Sequence, residues 1–380
     1  MPLGWLQLKN QKLRFAVALL GVAFAAILIL MQLGFREAMF GSAVRYHELL
    51  RYDIALVSPD MAFIVQPHSF SNRRLYQARG VAGVASVSPV YFGIGDWENP
   101  VSHTTRAIFV VGLDPDDDSL ALPDVERQAH LIRIQDQVLF DEASRPEYGP
   151  IVEALRGGQS VEVEVNHRRI AVAGTFLFGT SFGIDGSVLT SETNFLRLFP
   201  SRQRGLIELG LVRVEKGAAP EQVRDAIRAA LPLDVEVLTR AEFIARERHY
   251  WDSSTPIGYV FAFGVVVGLV VGGIIVYQIL FADVNDHLAE YATLKAMGYS
   301  DLYLSGVVIQ QAVILALLGF APGVLLCLLL YRVSSDATRL PLEMTWGRVL
   351  GVLSLTVLMC SVSAVLALRK VRSADPADVF

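Results

Sequence analysis

Apolar residues in this chain fall into two regimes. Four long runs, residues 15–35, 257–281, 302–330 and 349–368, are almost free of charge. Each meets the roughly 20-residue length that a helix needs to cross a bilayer. Between the first and second run, apolar and polar positions alternate on a much shorter scale. Residues 53–58, 84–91 and 107–111 read as strands, and 71–80 as a helix with Leu75 and Ala78 inward. Further on, 209–214 and 235–238 read as strands around a helix over 219–231 that Pro220-Glu221 opens. Two β-α-β halves around a middle insertion (113–199, with strands at 160–165 and 169–176) predict an α+β fold of small ferredoxin-like modules. Residues 240–251 read as a charged helical stalk leading into the second run.

The fold class that follows is an α-helical membrane protein with four transmembrane helices. A large α+β extracytoplasmic domain is inserted between helices 1 and 2. The segments are an amphipathic N-terminal helix (1–14), span one (15–35), the large domain (36–256), span two (257–281) and a connecting loop and helix (282–301). Span three (302–330), a short loop (331–348), span four (349–368) and a tail (369–380) complete the chain. In the N-terminal segment Leu3, Trp5, Leu6 and Leu8 alternate with Gln7, Lys9 and Asn10, the pattern of a helix lying at the membrane surface.

Charge sets the orientation. Lys9, Lys12 and Arg14 precede span one, and Arg369, Lys370 and Arg372 follow span four. Basic flanks stay on the cytoplasmic side, so both termini are expected inside and the large domain outside. Short loops oppose this locally, since 282–301 holds Asp283, Asp286, Glu290 and Asp301 against Lys295. The first span is longer than the ~7–15 apolar residues of a cleaved signal and is read as a retained span. Residues 36–256 carry 23 basic and 30 acidic side chains, which is no nucleic-acid footprint. Both cysteines, Cys327 and Cys360, fall in spans, leaving the large domain without a disulfide.

Candidate chemistry in the large domain is thin. The histidines show no zinc-binding spacing. Asp114-Pro-Asp-Asp-Asp118 lacks the spacing of a calcium loop and reads as a solvated acidic turn. Ser144, within Asp141-Glu-Ala-Ser-Arg-Pro-Glu147, has no histidine near it in sequence, and a structural loop is the better reading. No G-x-x-x-x-G-K-[ST] occurs, so the chain itself is not expected to bind nucleotide through a P-loop or to be an enzyme. No cofactor or metal is expected in it.

Two features of the membrane part stand out. Gly264, Gly268 and Gly272 repeat every fourth residue in span two, which lets another helix approach closely; whether that helix belongs to this chain or to a second copy stays open. Between spans two and three, Leu288, Tyr291, Leu294 and Met297 form an apolar stripe on a short helix, with Gly298 at its expected C-cap and Ser300-Asp301 able to cap the next helix. A plain connection needs no such helix. This one predicts a docking site built from Leu288, Glu290, Tyr291, Thr293, Leu294, Lys295, Met297 and Gly298.

Four stretches together resemble the FtsX/MacB-type (type VII) permeases of ABC systems, and within them the DevC-like subfamily. They are Pro2–Leu8 with Gly34-Phe-Arg36, Asp141–Pro150, Glu290-Tyr-Ala-Thr-Leu-Lys-Ala-Met-Gly-Tyr299, and Arg369–Phe380. Tyr291 and Ala292 stand where relatives often carry an aliphatic residue and Gly. The resemblance implies a bacterial inner-membrane permease, working as a homodimer over a separate cytoplasmic ATPase that binds ATP and Mg. The helix around 290–299 would couple the two. It also implies a membrane-fusion adaptor, an outer-membrane duct and lipophilic or glycolipid-type cargo. Signalling scaffolds that activate a periplasmic hydrolase, and lipoprotein-extracting permeases, share the same pattern.

Overall fold

The computed structural model describes residues 12–373 apart from 118, 180, 182 and 339. The chain divides into two compact units, Met1–Ala38 with Pro256–Phe380, and Met39–Thr255. In chain order, helix α1 (Lys12–Ala43) and a short α2 (Tyr46–Leu49) precede β1 (Ile54–Val57), β2 (Phe70–Ser71), α3 (Asn72–Arg79), β3 (Val84–Glu98) and β4 (Thr105–Leu113). Then come α4 (Pro123–Ile132), β5 (Gln137–Asp141), α5 (Ile151–Arg156), β6 (Val161–Val165), β7 (Arg168–Phe176), β8 (Ser187–Ser191) and α6 (Glu192–Leu198). The large domain closes with β9 (Leu206–Ile207), β10 (Leu209–Val214), α7 (Pro220–Ala230), β11 (Glu236–Thr239), α8 (Arg240–His249) and a π-helical turn (Tyr250–Ser254). The membrane unit continues with α9 (Pro256–Asp286), α10 (Leu288–Ala296), α11 (Asp301–Thr338) and α12 (Trp346–Ser373).

Among the described residues, four helices are long and apolar enough to cross a membrane, and they outrun the apolar stretches that mark them: α1 extends to Ala43 and α9 to Asp286. The N-terminal amphipathic segment lies outside the described residues. Helix α11 runs on through Pro322. Cys327 and Cys360 are buried free thiols in α11 and α12.

In the large domain, the two predicted β-α-β halves join into one antiparallel sheet in the order β11-β1-β10-β3. This is the split β-α-β arrangement, with α3 and α7 as its crossovers. Local chemistry starts these helices. The Ser71 hydroxyl accepts from the Arg73 amide, Pro220 opens α7, and Thr239 and Glu242 cap α8 reciprocally. Leu75 and Ala78 of α3, with Val223 and Ile227 of α7, pack into one core with Ile54, Val212 and Val237 of the sheet.

The insertion extends the same sheet rather than forming a separate module. β4, β8, β5, β7 and β6 follow β3 in order, and β6 returns to pair with β3 at Trp97↔Val165 and Glu98↔Glu164. The six strands β3, β4, β8, β5, β7 and β6 therefore close on themselves, which removes the exposed edges of an open sheet. Alternate residues divide between two cores: Ile108, Val110 and Phe140 go to one, and Phe109, Val111 and Leu139 to the other. Trp97 is fully buried against Phe140, and its indole donates to the Tyr148 carbonyl at 3.0 Å.

The acidic sequence motifs turn out to be structural. Asp141 is buried and accepts from the backbone amides of Ala143, Phe178 and Gly179 (3.1, 3.0 and 3.0 Å) and from Ser187 at 3.3 Å. Burial holds its carboxyl above the usual range, against the pull of those donors. Asp114 accepts from the Asp116 amide at 3.0 Å, and Asp116 pairs with Arg133, which makes an ordinary charged turn. Glu208, in the one-residue step between β9 and β10, is fully buried. Its carboxylate accepts from the Phe92 amide at 3.1 Å and pairs with Arg202, which donates to the Phe92 carbonyl at 2.6 Å. Burial outweighs Arg202 and pushes the Glu208 carboxyl up to about 7.

Candidate coupling site between spans two and three

Helix α10 is short because both its ends are fixed. The Gly298 amide donates to the Lys295 carbonyl at 3.0 Å and the Tyr299 amide to Leu294 at 3.2 Å, with Gly298 at φ 94°. That is a Schellman stop, and it needs a residue free to adopt positive φ. Ser300 then starts α11, its hydroxyl accepting from the Tyr303 amide at 3.4 Å.

At the other end, polar contacts tie the last turn of α9 to its neighbours. Arg14 of α1 pairs with Asp286. Gln311 of α11 donates to the Asp283 carboxylate at 3.0 Å, and His287 Nδ1 donates to the Asp283 carbonyl at 2.9 Å. Asp283 is only 6 % exposed. Sequence reading ended span two at residue 281 and found no charge deep in a span. Because the helix runs on to Asp286, this carboxylate packs inside the bundle, where an ionisable group is costly unless partnered.

The apolar stripe is split: Tyr291 and Leu294 face the bundle and Met297 faces outward. Tyr291 is 2 % exposed and sits in a core with Val276, Leu280, Val284, Val308 and Ala312, and Leu294 packs against that core. Leu288 and Lys295 are half-buried. The outward residues are Glu290, Thr293, Met297, Gly298 and Tyr299, continued by Leu302 (80 % exposed) and Tyr303 (44 %) at the start of α11. Tyr299 and Tyr303 have their ring centroids 5.0 Å apart. The apolar surface available to a partner is therefore Met297, Tyr299, Leu302 and Tyr303. Sequence analysis counted Leu302 and Tyr303 into span three, whereas both are exposed at the start of α11.

The glycine face of α9 meets span one of the same chain. A Cβ at Gly268 would lie 3.0 Å from Ile29, one at Gly272 would strike Ala25 and Met359, and one at Gly264 would strike Gln32. Gly319 and Gly323 of α11 approach the same helix from another side, against Val22 and Ala23. Small residues on two helices thus seat α1 between them.

Residues 262–376 match the family described as FtsX-like permease C-terminal. No curated protein matches the chain. Among solved structures, the periplasmic region of MacB from Actinobacillus actinomycetemcomitans is similar at 10 % identity, covering 51 % of this chain and 91 % of that one, with a TM-score of 0.34. The extracellular domain of the noncanonic ABC-type transporter YknZ from Gram-positive bacteria is similar at 13 % identity, covering 49 % and 98 %, with a TM-score of 0.33. Through spans two to four, this chain is similar to the FtsX-like permease C-terminal family.

Proposed function

We propose that this chain is the membrane subunit of an ABC exporter that passes ATP-driven motion from a separate cytoplasmic ATPase to its own large domain on the other side of the membrane. The observation that carries the reading is α10 itself. It is a short helix stopped at both ends, keyed into the bundle by Tyr291 and Leu294, and edged by exposed Met297, Tyr299, Leu302 and Tyr303. A push on that edge reaches the spans through buried side chains rather than through a slack loop. The family match over residues 262–376 supports an ATPase as the partner, and ATP and Mg belong to that subunit.

The finer reading is a bacterial inner-membrane protein with both termini inside. It works as a homodimer with a membrane-fusion adaptor and an outer-membrane duct, and exports lipophilic or glycolipid-type cargo as DevC-like members do. Since the glycine face is occupied by α1, a second copy would pack elsewhere; the apolar groove of α9 and α12 around Val270, Ile274, Leu358 and Val362 suits it. A permease of the same build that activates a periplasmic hydrolase, or extracts lipoproteins, would share everything up to the large domain's own partner.

The test is Leu302→Asp in the full chain, purified from membranes. The parent should carry an ABC-type ATPase, recognised by its peptides and by ATP hydrolysis in the purified complex. The variant should insert normally and lose both. A charge in a dry contact costs on the order of a few kcal/mol. Full retention of the ATPase by Leu302→Asp would sink this placement of the dock.

A further inference from the structure

The large domain is reached from α1 through α2 and left through α8, and a fully buried polar chain joins these two segments. His47 and Glu247 stand 200 positions apart and are 0 % and 1 % exposed. His47 Nε2 is hydrogen-bonded to Glu247 Oε2 at 2.6 Å. His47 Nδ1 is hydrogen-bonded to the Tyr52 hydroxyl. The other Glu247 oxygen accepts from the Ile64 amide at 2.5 Å.

Three residues of α8 at helical spacing converge on His47. Arg240 donates to its carbonyl at 2.7 Å, Phe243 sets its ring edge-on at 4.7 Å, and Glu247 takes the imidazole. The next residue round the helix, Arg246, donates to the Met61 carbonyl at 2.7 Å. Phe63 then lies against Tyr250 and Trp251 (centroids 5.1 and 4.8 Å) in the π-helical turn that follows α8. Turns of this kind are rare in helices and gather at functional positions.

We propose that the Tyr52–His47–Glu247 chain is a fastener that makes the incoming residues on either side of β1, 44–52 and 61–66, and the outgoing segment 240–254 one mechanical piece, able to open as a unit while β1 stays paired in the sheet. A buried polar pair of this kind is a poor way to add stability, since well-packed apolar side chains often serve as well or better. It is an effective way to make a junction all-or-none. A small slip leaves a buried polar group without its partner, so the two segments are held together or released together and do not creep. The fastener is a property of this chain alone and stands whichever partner docks at α10.

Amide hydrogen exchange on the full chain in lipid nanodiscs tests it. His47→Ala and Glu247→Ala should each speed exchange roughly 100-fold or more, the scale for stranding one buried partner. The acceleration should appear in both segments, 61–66 and 240–254, while amides of β3, β4 and β8 keep the parental rate. The double variant should exchange no faster than the faster single, because the two side chains act as one. Glu247→Gln keeps the shape and should accelerate the same two segments by a smaller factor, which covers the case in which an alanine variant does not fold. Acceleration confined to the mutated segment overturns the proposal. So does equal acceleration throughout the sheet, or additivity in the double variant.

Discussion

Glu208 gives a prediction whose sign and size both follow from its surroundings. Its carboxyl is fully buried between Phe92 and Arg202 and is pushed up to about 7, against an ordinary value of 4.5. Below pH 4.5 the group is protonated in folded and unfolded chains alike and costs nothing. Between pH 4.5 and 7 the unfolded chain gives up this proton while the folded chain keeps it, so stability falls as pH rises. Above pH 7 the cost is complete, at about 3 kcal/mol from the displacement of the titration. Glu208→Gln keeps an acceptor for the Phe92 amide and removes the titrating group. Arg202 retains the Phe92 carbonyl.

The assay is urea unfolding of the large domain in the nanodisc-embedded full chain, followed by tryptophan emission from pH 4 to pH 8. Other carboxyls with depressed values, Asp136 beside Arg168 among them, titrate in both proteins and cancel in the difference. The stability of Glu208→Gln minus that of the parent should rise by about 3 kcal/mol across this interval and then level off. A difference that stays flat with pH would show that Arg202 outweighs burial and that Glu208 folds as a carboxylate.

Gly268→Leu should destabilise the monomer rather than an assembly, since even a Cβ would sit 3.0 Å from Ile29; overpacking of this kind costs about 1–3 kcal/mol, read as a lower Tm in detergent with an unchanged oligomeric size. Tyr291→Ala should lower that Tm through a cavity worth about 3 kcal/mol, whereas Met297→Ser, on the exposed edge, should leave Tm unchanged and weaken retention of the ATPase. Ser102→Cys should react with an impermeant thiol reagent from outside the cell and Ser300→Cys should not. Both positions are exposed. Outside labelling at residue 300 would reverse the orientation.

The spans were legible because twenty apolar residues in a row admit little else, and the outer β-α-β halves because their periods of two and 3.6 were clean. Strand closure was not. Sequence reading stopped β3 near Tyr91, since Gly93 and Gly95 look like the end of a strand. In the fold they are what lets neighbours in: a side chain at Gly95 would strike Val165 of β6, and one at Gly93 the Phe199 ring. The stripe on α10 was found, but period alone does not say whether an apolar face meets a partner or its own bundle, and Tyr291 meets the bundle. The contacts of His47 and Glu247 had no signal in sequence at all, being polar residues 200 positions apart along the chain. The bounds of α10 were legible as well, because Gly298 and Ser300 punctuate it so clearly.

β3 also bears on how the large domain can deform. Its residues 84–90 pair with β10, and from Val90 onward they pair with β4, so one uninterrupted strand changes neighbours at Val90. Fifteen residues at ~3.3 Å make a rod of roughly 50 Å. The four-stranded sheet and the closed barrel therefore share a beam instead of a linker. Bending at their junction would break ladder bonds on both edges of that beam. Twisting about its length would only redistribute the pleat. A torque applied at one end should accordingly arrive at the other as rotation, with little lost on the way.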